Sequence, residues 1–344
     1  MPINFKLKSI KNIFKPVKKK IDGYLSGRPH RSLRMTRRRD YIKNLNLPGY
    51  WSFTNFVNKT LYKNRKVFLY LVLTYAILTI VMVGMASQDA YSNLVETLKS
   101  TSNGILDGNF GTIGKASLLL LATINGDISA NLTETQQIYA VLIAIMAWMT
   151  TVWLLRNIMA GYTVKLRDGL YNSGAPLLST FLVSMLLIVQ LIPMALAFVG
   201  YSAATTTGLI AGGGVEAMLF WIVAGLLVVM SLYFITSTFF AMIIVTIPGM
   251  YPYQAIKTAG DIVLGRRLRI LYRLIWMAMC IGVFWIFVMV PTILFDLWIK
   301  SSFASINWLP IIPIVFLIVS SISIIWGSSY IYLLYRKVVD NDDK

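Results

Sequence analysis

Six long runs of apolar residues divide most of the chain, and each is long enough to cross a bilayer as a helix. A hydrocarbon core about 30 Å thick needs roughly 20 helical residues. The runs lie at 67–86, 138–155, 175–200, 217–247, 274–298 and 310–334. A seventh apolar stretch, 116–124, is too short to span and predicts an interfacial or re-entrant helix. The pattern predicts an all-α integral membrane protein with about six transmembrane helices.

Composition supports this class. Of the 344 residues 57% are hydrophobic and only 13% are charged, whereas about a quarter of the residues in soluble domains are charged. The hydrophobic side chains therefore face lipid and one another rather than fill a water-excluding globule.

Basic residues lie in alternate loops, on one side of the predicted spans. The segments 87–137 and 201–216 are acidic, the intervening loops are basic, and Arg336 and Lys337 follow the last span. Because Lys and Arg remain on the cytoplasmic side, this bias predicts a cell-membrane protein with both termini in the cytoplasm. The basic residues of these loops and directly after the last span are Arg156, Lys165, Arg167, Lys257, Arg266, Arg267, Arg269, Arg273, Arg336 and Lys337.

A basic arm, residues 1–66, precedes the first span and carries 18 of the 32 Lys and Arg residues but only two acids. Apolar positions spaced by four and three predict an amphipathic helix over 1–21, which Pro16 interrupts. Residues 22–46 predict a mostly extended basic tether. The aromatic and basic stretch 48–66 predicts an interfacial helix. The transmembrane domain, 67–335, contains the outer loop 87–137, and 336–344 form a cytoplasmic tail.

The arm has two possible partners, anionic lipid headgroups and nucleic acid or the ribosome. Phosphates of either kind would attract its cationic clusters. The regular apolar stripe in 1–21 favours lipid, because RNA does not require such a stripe. The predicted headgroup contacts in the arm are Lys15, Lys18, Lys19, Lys20, Arg37, Arg38 and Arg39.

Between the fourth and fifth spans, residues 255–273 predict one helix with Arg266, Arg269 and Arg273 on one face. These arginines either anchor to lipid phosphates where the fifth span enters the membrane, or form with residues 249–273 a docking surface for a cytoplasmic or membrane partner protein. We favour anchoring.

Catalytic and metal chemistry are not expected. The spans contain one cysteine, Cys280, and no histidine, and no acid lies near a span centre. Metal sites need several converging ligands, proton-coupled carriers often use intramembrane acids, and no phosphate-binding glycine motif occurs. We therefore predict a non-enzymatic protein without a cofactor.

Polar residues inside the spans are the remaining candidates for a site. Gln190 precedes Pro193, where it either supports a kink or lines a cavity. Thr236 lies in the fourth span. Ser323 and Gly327 form a small-xxx-small spacing that allows close helix packing. Gln190, Thr236, Ser323 and Gly327 thus mark either a polar path or helix packing.

The loop after the fourth span carries Pro248-Gly249, Gln254-Ala255-Ile256-Lys257 and Leu264-Gly265-Arg266-Arg267. With the spans on either side, it resembles the YciC-like and glycerophosphodiesterase membrane-domain families, which are multi-spanning bundles of about six helices and mostly unknown function. The resemblance covers spans three to six and excludes the arm. It implies a helical bundle without activity, since the diesterase chemistry of that family resides in a separate soluble domain.

Two functions fit these patterns. The first is a non-enzymatic scaffold or accessory subunit whose basic arm lies on the anionic cytoplasmic leaflet. The second is a transporter or permease-like subunit energised by a separate partner, with spans three, four and six lining a path. A polar, water-accessible cavity around Gln190, Thr236 and Ser323 would favour transport, and a dry interface would favour the scaffold.

Overall fold

The structure is a computed structural model that describes residues 47–84, 134–302 except 211, and 310–340. Every regular element in these ranges is an α-helix. The predicted amphipathic helix 1–21, the tether 22–46, the short stretch 116–124 and almost all of the outer loop lie outside the described residues. So do the seven basic residues of the arm that are predicted to contact headgroups.

The helices of the described residues, numbered in chain order, include six that are long and apolar enough to cross a membrane: α2, α3, α5, α6, α8 and α9. The prediction of a six-span, all-α membrane protein is confirmed at this level. The helices are α1 (Tyr50–Lys63), α2 (Arg65–Met82), α3 (Glu134–Met159), α4 (Leu166–Asn172), α5 (Leu177–Thr206), α6 (Gly214–Ile244), α7 (Pro252–Val263), α8 (Arg267–Ser302) and α9 (Ile311–Asp340).

The protein core is concentrated along α3 and α9. In the most apolar window of each span, 56% of α3 and 39% of α9 is buried within the protein, but only 11% of α5 and of α6. The buried part of α6 is its C-terminal third, where Ile235 through Val245 lie among the other helices. α5 and α6 pack mainly against each other. At the end of this hairpin away from the buried third of α6, the apolar side chains therefore lie at the surface.

A buried chain of hydroxyls joins α2 and α4 to α3. Thr150 of α3 donates to the Met146 carbonyl oxygen at 2.8 Å, and its Oγ1 lies 2.7 Å from the Tyr75 hydroxyl and 2.9 Å from Ser173 Oγ. With its one proton engaged, Thr150 accepts from the other two hydroxyls. Gly169 of α4 leaves no room for a side chain, because a Cβ there would lie 2.9 Å from Leu154.

The predicted single helix over 255–273 is wrong. α7 ends at Val263 and α8 begins at Arg267, and Gly265 between them has φ +77°, a conformation that glycine adopts readily. α7 packs along α6. The chain thereby returns to Tyr233, whose carbonyl oxygen accepts a hydrogen bond from Arg267. At 1.5 Å per residue, Tyr233 lies about 16 Å before the end of α6.

α1 occupies most of the aromatic and basic stretch 48–66. Phe53, Thr54 and Val57 are buried on one side, at spacings that share a helical face, and Trp51 on the other side is 74% exposed. Asn64 separates α1 from α2 and donates from its side chain to the Thr60 carbonyl. α1 is therefore an amphipathic helix lying against the bundle, and its position at a membrane interface stays a prediction.

Candidate functional site

α1 lies on a surface formed by Arg273 and Trp276 of α8 with Trp326 and Tyr330 of α9, which we call the α1 docking surface. Arg273 is its most buried charged residue, only 6% exposed. Its guanidinium donates to the Pro48 carbonyl oxygen and lies 5.1 Å and 5.4 Å from the ring centroids of Tyr50 and Phe53. A cation between aromatic faces is attracted by their quadrupoles. Arg273 thus holds the start of α1 to α8.

Two tryptophans extend this contact along α1. The Trp276 indole N–H donates to Thr54 Oγ1 at 3.2 Å, and its ring lies 5.6 Å from those of Tyr50 and Trp51. The Trp326 indole N–H donates to Asn58 Oδ1 at 2.8 Å. One side of α1 is therefore fixed to α8 at its start and to α9 at its middle.

The interior of the same contact is aromatic. Phe53 meets Tyr330 edge to face at 4.8 Å between centroids, with the rings at 88°, a favoured arrangement for aromatic pairs. Further along, the Lys337 ammonium lies 5.5 Å from the centroid of Phe56. The α1 docking surface therefore combines aromatic packing with directed polar contacts.

The three arginines expected on one surface are separated. Arg266 and Arg273 are each 6% exposed, while Arg269 is exposed. Arg273 is used inside the protein, against α1, and Arg269 is the one of the three whose side chain is open to a headgroup or partner. The expectation of a shared basic face is wrong, because the break at Gly265 and the packing of α1 place Arg266 and Arg273 inward.

Two other arginines join neighbouring helices. Arg156 of α3 donates to the Thr246 carbonyl oxygen at 3.0 Å and to Thr246 Oγ1 at 2.6 Å, which satisfies the backbone just after α6. The Arg267 guanidinium lies 4.0 Å from the ring centroid of Tyr233 and donates to its carbonyl oxygen at 3.2 Å. In the sequence, Arg156 and Arg267 indicate only the orientation of the spans. Their partners, Thr246 and Tyr233, are neutral, so no pattern of opposite charges predicts these contacts.

Gln190 is part of the α5–α6 interface. Its Oε1 accepts from Thr238 Oγ1 at 2.6 Å. One turn further on, the backbone N–H of Met194 donates to Ser231 Oγ at 3.1 Å, next to Pro193, which interrupts the helical hydrogen bonds. The polar groups around the proline are thus paired between the two helices.

Thr236, Ser323 and Gly327 do not join Gln190 in one cavity. Thr236 is buried and donates to the Tyr233 carbonyl at 2.8 Å. Ser323 accepts from the Trp285 indole at 2.9 Å and donates to the Val319 carbonyl at 2.8 Å. Ser323 and Gly327 line a cavity whose walls include neither Gln190 nor Thr236.

That cavity, the five-helix cleft, has a volume of about 390 Å³ and receives side chains from α3, α5, α6, α8 and α9. Its walls are mostly apolar, and its lining includes Trp148, Leu187, Phe239, Met277, Ser323 and Gly327. Two lining side chains, Val141 and Ile188, are 44% and 55% exposed, so the cleft opens sideways between the spans. It is not a polar channel through the bundle.

Within the described ranges, no group of three or more His, Cys, Asp or Glu residues is placed to hold a metal ion. Asp296 is buried and pairs with Lys300 at 2.9 Å, one turn away on α8. This pair is local to one helix and brings no second carboxylate to a common point.

No protein-family model, no curated protein and no solved structure matches the chain. The resemblance to the YciC-like and glycerophosphodiesterase membrane-domain families stays a prediction. Its six long apolar helices are those of a multi-pass membrane protein.

Proposed function

We propose that the protein is a non-enzymatic membrane scaffold or accessory subunit whose basic arm lies on the anionic cytoplasmic leaflet. The observation that carries this proposal is the pairing of three polar side chains that were candidates for a path through the spans. Gln190 is paired with Thr238, Thr236 with its own helix, and Ser323 with Trp285 and its own helix. A transporter for polar solutes would need such groups to face a common path.

The α1 docking surface supports the scaffold in a second way. The arm joins the bundle at Pro48, whose carbonyl is bonded to Arg273, and α1 is held by Trp276 and Trp326. A basic segment attached to a fixed point stays close to the headgroups, which raises its effective concentration there. Arm and bundle together would hold a partner at a defined place on the membrane.

Co-purification in mild detergent tests the class of function. We expect the full chain to retain membrane proteins or lipids in constant ratio and no nucleotide-hydrolysing subunit. A stoichiometric ATPase that remains bound through two purification steps would overturn the scaffold and favour the energised transporter.

The contact of the arm with lipid is tested by tryptic digestion of the reconstituted full chain. We expect the arm to be cleaved more slowly in vesicles with anionic lipid than in zwitterionic vesicles, since each basic residue near the surface contributes about 1 kcal/mol. Changing Lys18, Lys19 and Lys20 to Glu should abolish the difference. Equal cleavage of the unaltered arm in both kinds of vesicle would contradict the proposal.

We infer in addition that the membrane is the cell membrane and that both termini are cytoplasmic, from the distribution of Lys and Arg. Single cysteines in a Cys280→Ser background test the sidedness in intact cells. Ser102→Cys should react with an impermeant maleimide from outside, and Lys257→Cys, at an exposed position of α7, should not. The reverse pattern would invert the topology.

A further inference from the structure

We propose that the five-helix cleft binds one acyl chain of a membrane phospholipid. This site is independent of the scaffold function. It rests on three features of the cleft: the state of its polar groups, its size and sideways opening, and the charge at one end of it.

The hydrogen-bond donors that line the cleft are already engaged. Each of its three serines donates its only proton to a carbonyl of its own helix: Ser184 to Phe181 at 2.7 Å, Ser323 to Val319 at 2.8 Å and Ser328 to Ile325 at 3.0 Å. The Trp148 indole N–H is directed at the Met242 carbonyl oxygen, 3.4 Å away.

A polar ligand would therefore enter the cleft without hydrogen-bond donors to receive it. Burying an unpaired polar group is costly, and this disfavours ligands that need several hydrogen-bond donors from the protein, such as anions and sugars. A hydrocarbon chain has no such groups to satisfy, so it suits walls of this kind.

The size and position of the cleft also fit a chain. Its volume of about 390 Å³ is more than twice the roughly 150 Å³ of an engineered apolar cavity that accepts benzene. An empty space of this size would forfeit dispersion contacts along its walls. Because the lining helices are membrane spans, the cleft opens past Val141 and Ile188 toward acyl chains. Met242 and Met277 are flexible side chains that adapt to such an occupant.

Charge at one end of the cleft accounts for the choice of a phospholipid. Met277 lines the cleft and follows Arg273 by one helical turn, about 6 Å along the axis. Toward that end α8 carries Arg267, Arg269 and Arg273, and Arg269, about 12 Å from Met277 along the axis, is exposed. A phospholipid whose chain enters the cleft would thus bring its phosphate toward the Arg269 guanidinium, a favourable pairing.

The test is photocrosslinking of the full chain, reconstituted in nanodiscs, with a phosphatidylglycerol that carries a diazirine midway along one acyl chain. We expect the crosslinks, mapped by mass spectrometry, to concentrate on cleft residues of α3 and α9. Gly327→Leu should reduce them about tenfold, because its side chain would occupy the space of the ligand chain.

A matched control is Gly282→Leu. Gly282 also lies in a span, but a Cβ there meets nothing within 4 Å, so the crosslinks should be unchanged. At Gly327 the nearest atom is Ile281 Cδ1 at 3.6 Å, an ordinary contact. If Gly327→Leu does not give a monodisperse protein, Val141→Trp, at the opening of the cleft, replaces it and should give the same reduction.

The result that overturns the site is labelling by annular lipid only. In that case crosslinks would spread over the exposed faces of α5, α6 and α8, and neither the Gly327 nor the Val141 variant would change them. Equal loss of cleft labelling in the Gly282 control would also contradict the proposal, since it would show that any added bulk in a span disperses the signal.

Discussion

Replacing Arg273 by leucine should release α1 from the bundle while the spans stay folded. The side chain is buried, donates to the Pro48 carbonyl and lies against the rings of Tyr50 and Phe53. Leucine keeps apolar volume at the site but can neither donate nor attract the rings. The matched control is Arg269→Leu, on the same helix one turn earlier, because the Arg269 side chain is exposed.

The magnitude follows from the contacts. A hydrogen bond from a charged donor contributes about 1.5–3 kcal/mol, and each aromatic contact of the cation about 0.5–1 kcal/mol. Removing a buried charge also removes its desolvation cost, which offsets part of the loss. We expect a net loss of about 1–3 kcal/mol for Arg273→Leu and less than about 0.5 kcal/mol for Arg269→Leu.

Hydrogen–deuterium exchange of the protein in nanodiscs measures this loss locally. Since 1.4 kcal/mol corresponds to a tenfold change in an equilibrium constant, the amides of α1 should exchange roughly 5- to 150-fold faster in Arg273→Leu, and those of α3 should not change. The same exchange of α1 in both leucine variants would refute the role assigned to Arg273.

Three further outcomes are expected. Arg156→Lys should lower the midpoint of thermal unfolding, because an ammonium cannot reproduce the fork that reaches both oxygens of Thr246; an unchanged midpoint would contradict this contact. Tyr75→Phe should cost about 1 kcal/mol of unfolding free energy through the lost bond to Thr150, as measured by denaturant titration, and a change below the error would place that hydroxyl outside the network. Deletion of residues 1–46 should leave the protein in the carbonate-resistant membrane fraction, and its release by carbonate would show that the arm is needed for insertion.

The sequence predicts the six spans because their length and hydrophobicity are set by the thickness of the bilayer. It also predicts the helix over most of 48–66, α1, from the aromatic and basic residues of that stretch. These features depend on local composition alone, so they can be read without knowledge of the packing.

The contacts between helices could not be predicted in the same way. In a membrane, side chains that face lipid are as apolar as those that face another helix, so the pattern does not reveal that α3 is central and α8 peripheral. Arg156 and Arg273 bind carbonyl oxygens, and a backbone acceptor leaves no trace in the side-chain sequence. The break before α8 depends on Gly265, whose positive φ a glycine permits but does not require.

One end of the α5–α6 hairpin is largely uncovered by the rest of the protein. Near Ile188 and Val189 of α5 and near Ile222 and Val223 of α6, about half of each side chain is left uncovered by the protein. At 31 residues, α6 is about 46 Å long, well over the roughly 30 Å of the hydrocarbon layer. The hairpin must therefore tilt or protrude to suit the bilayer it enters. In a thinner membrane it would tilt further, while its other end, where Ile235 through Val245 are buried among the other helices, would keep its packing.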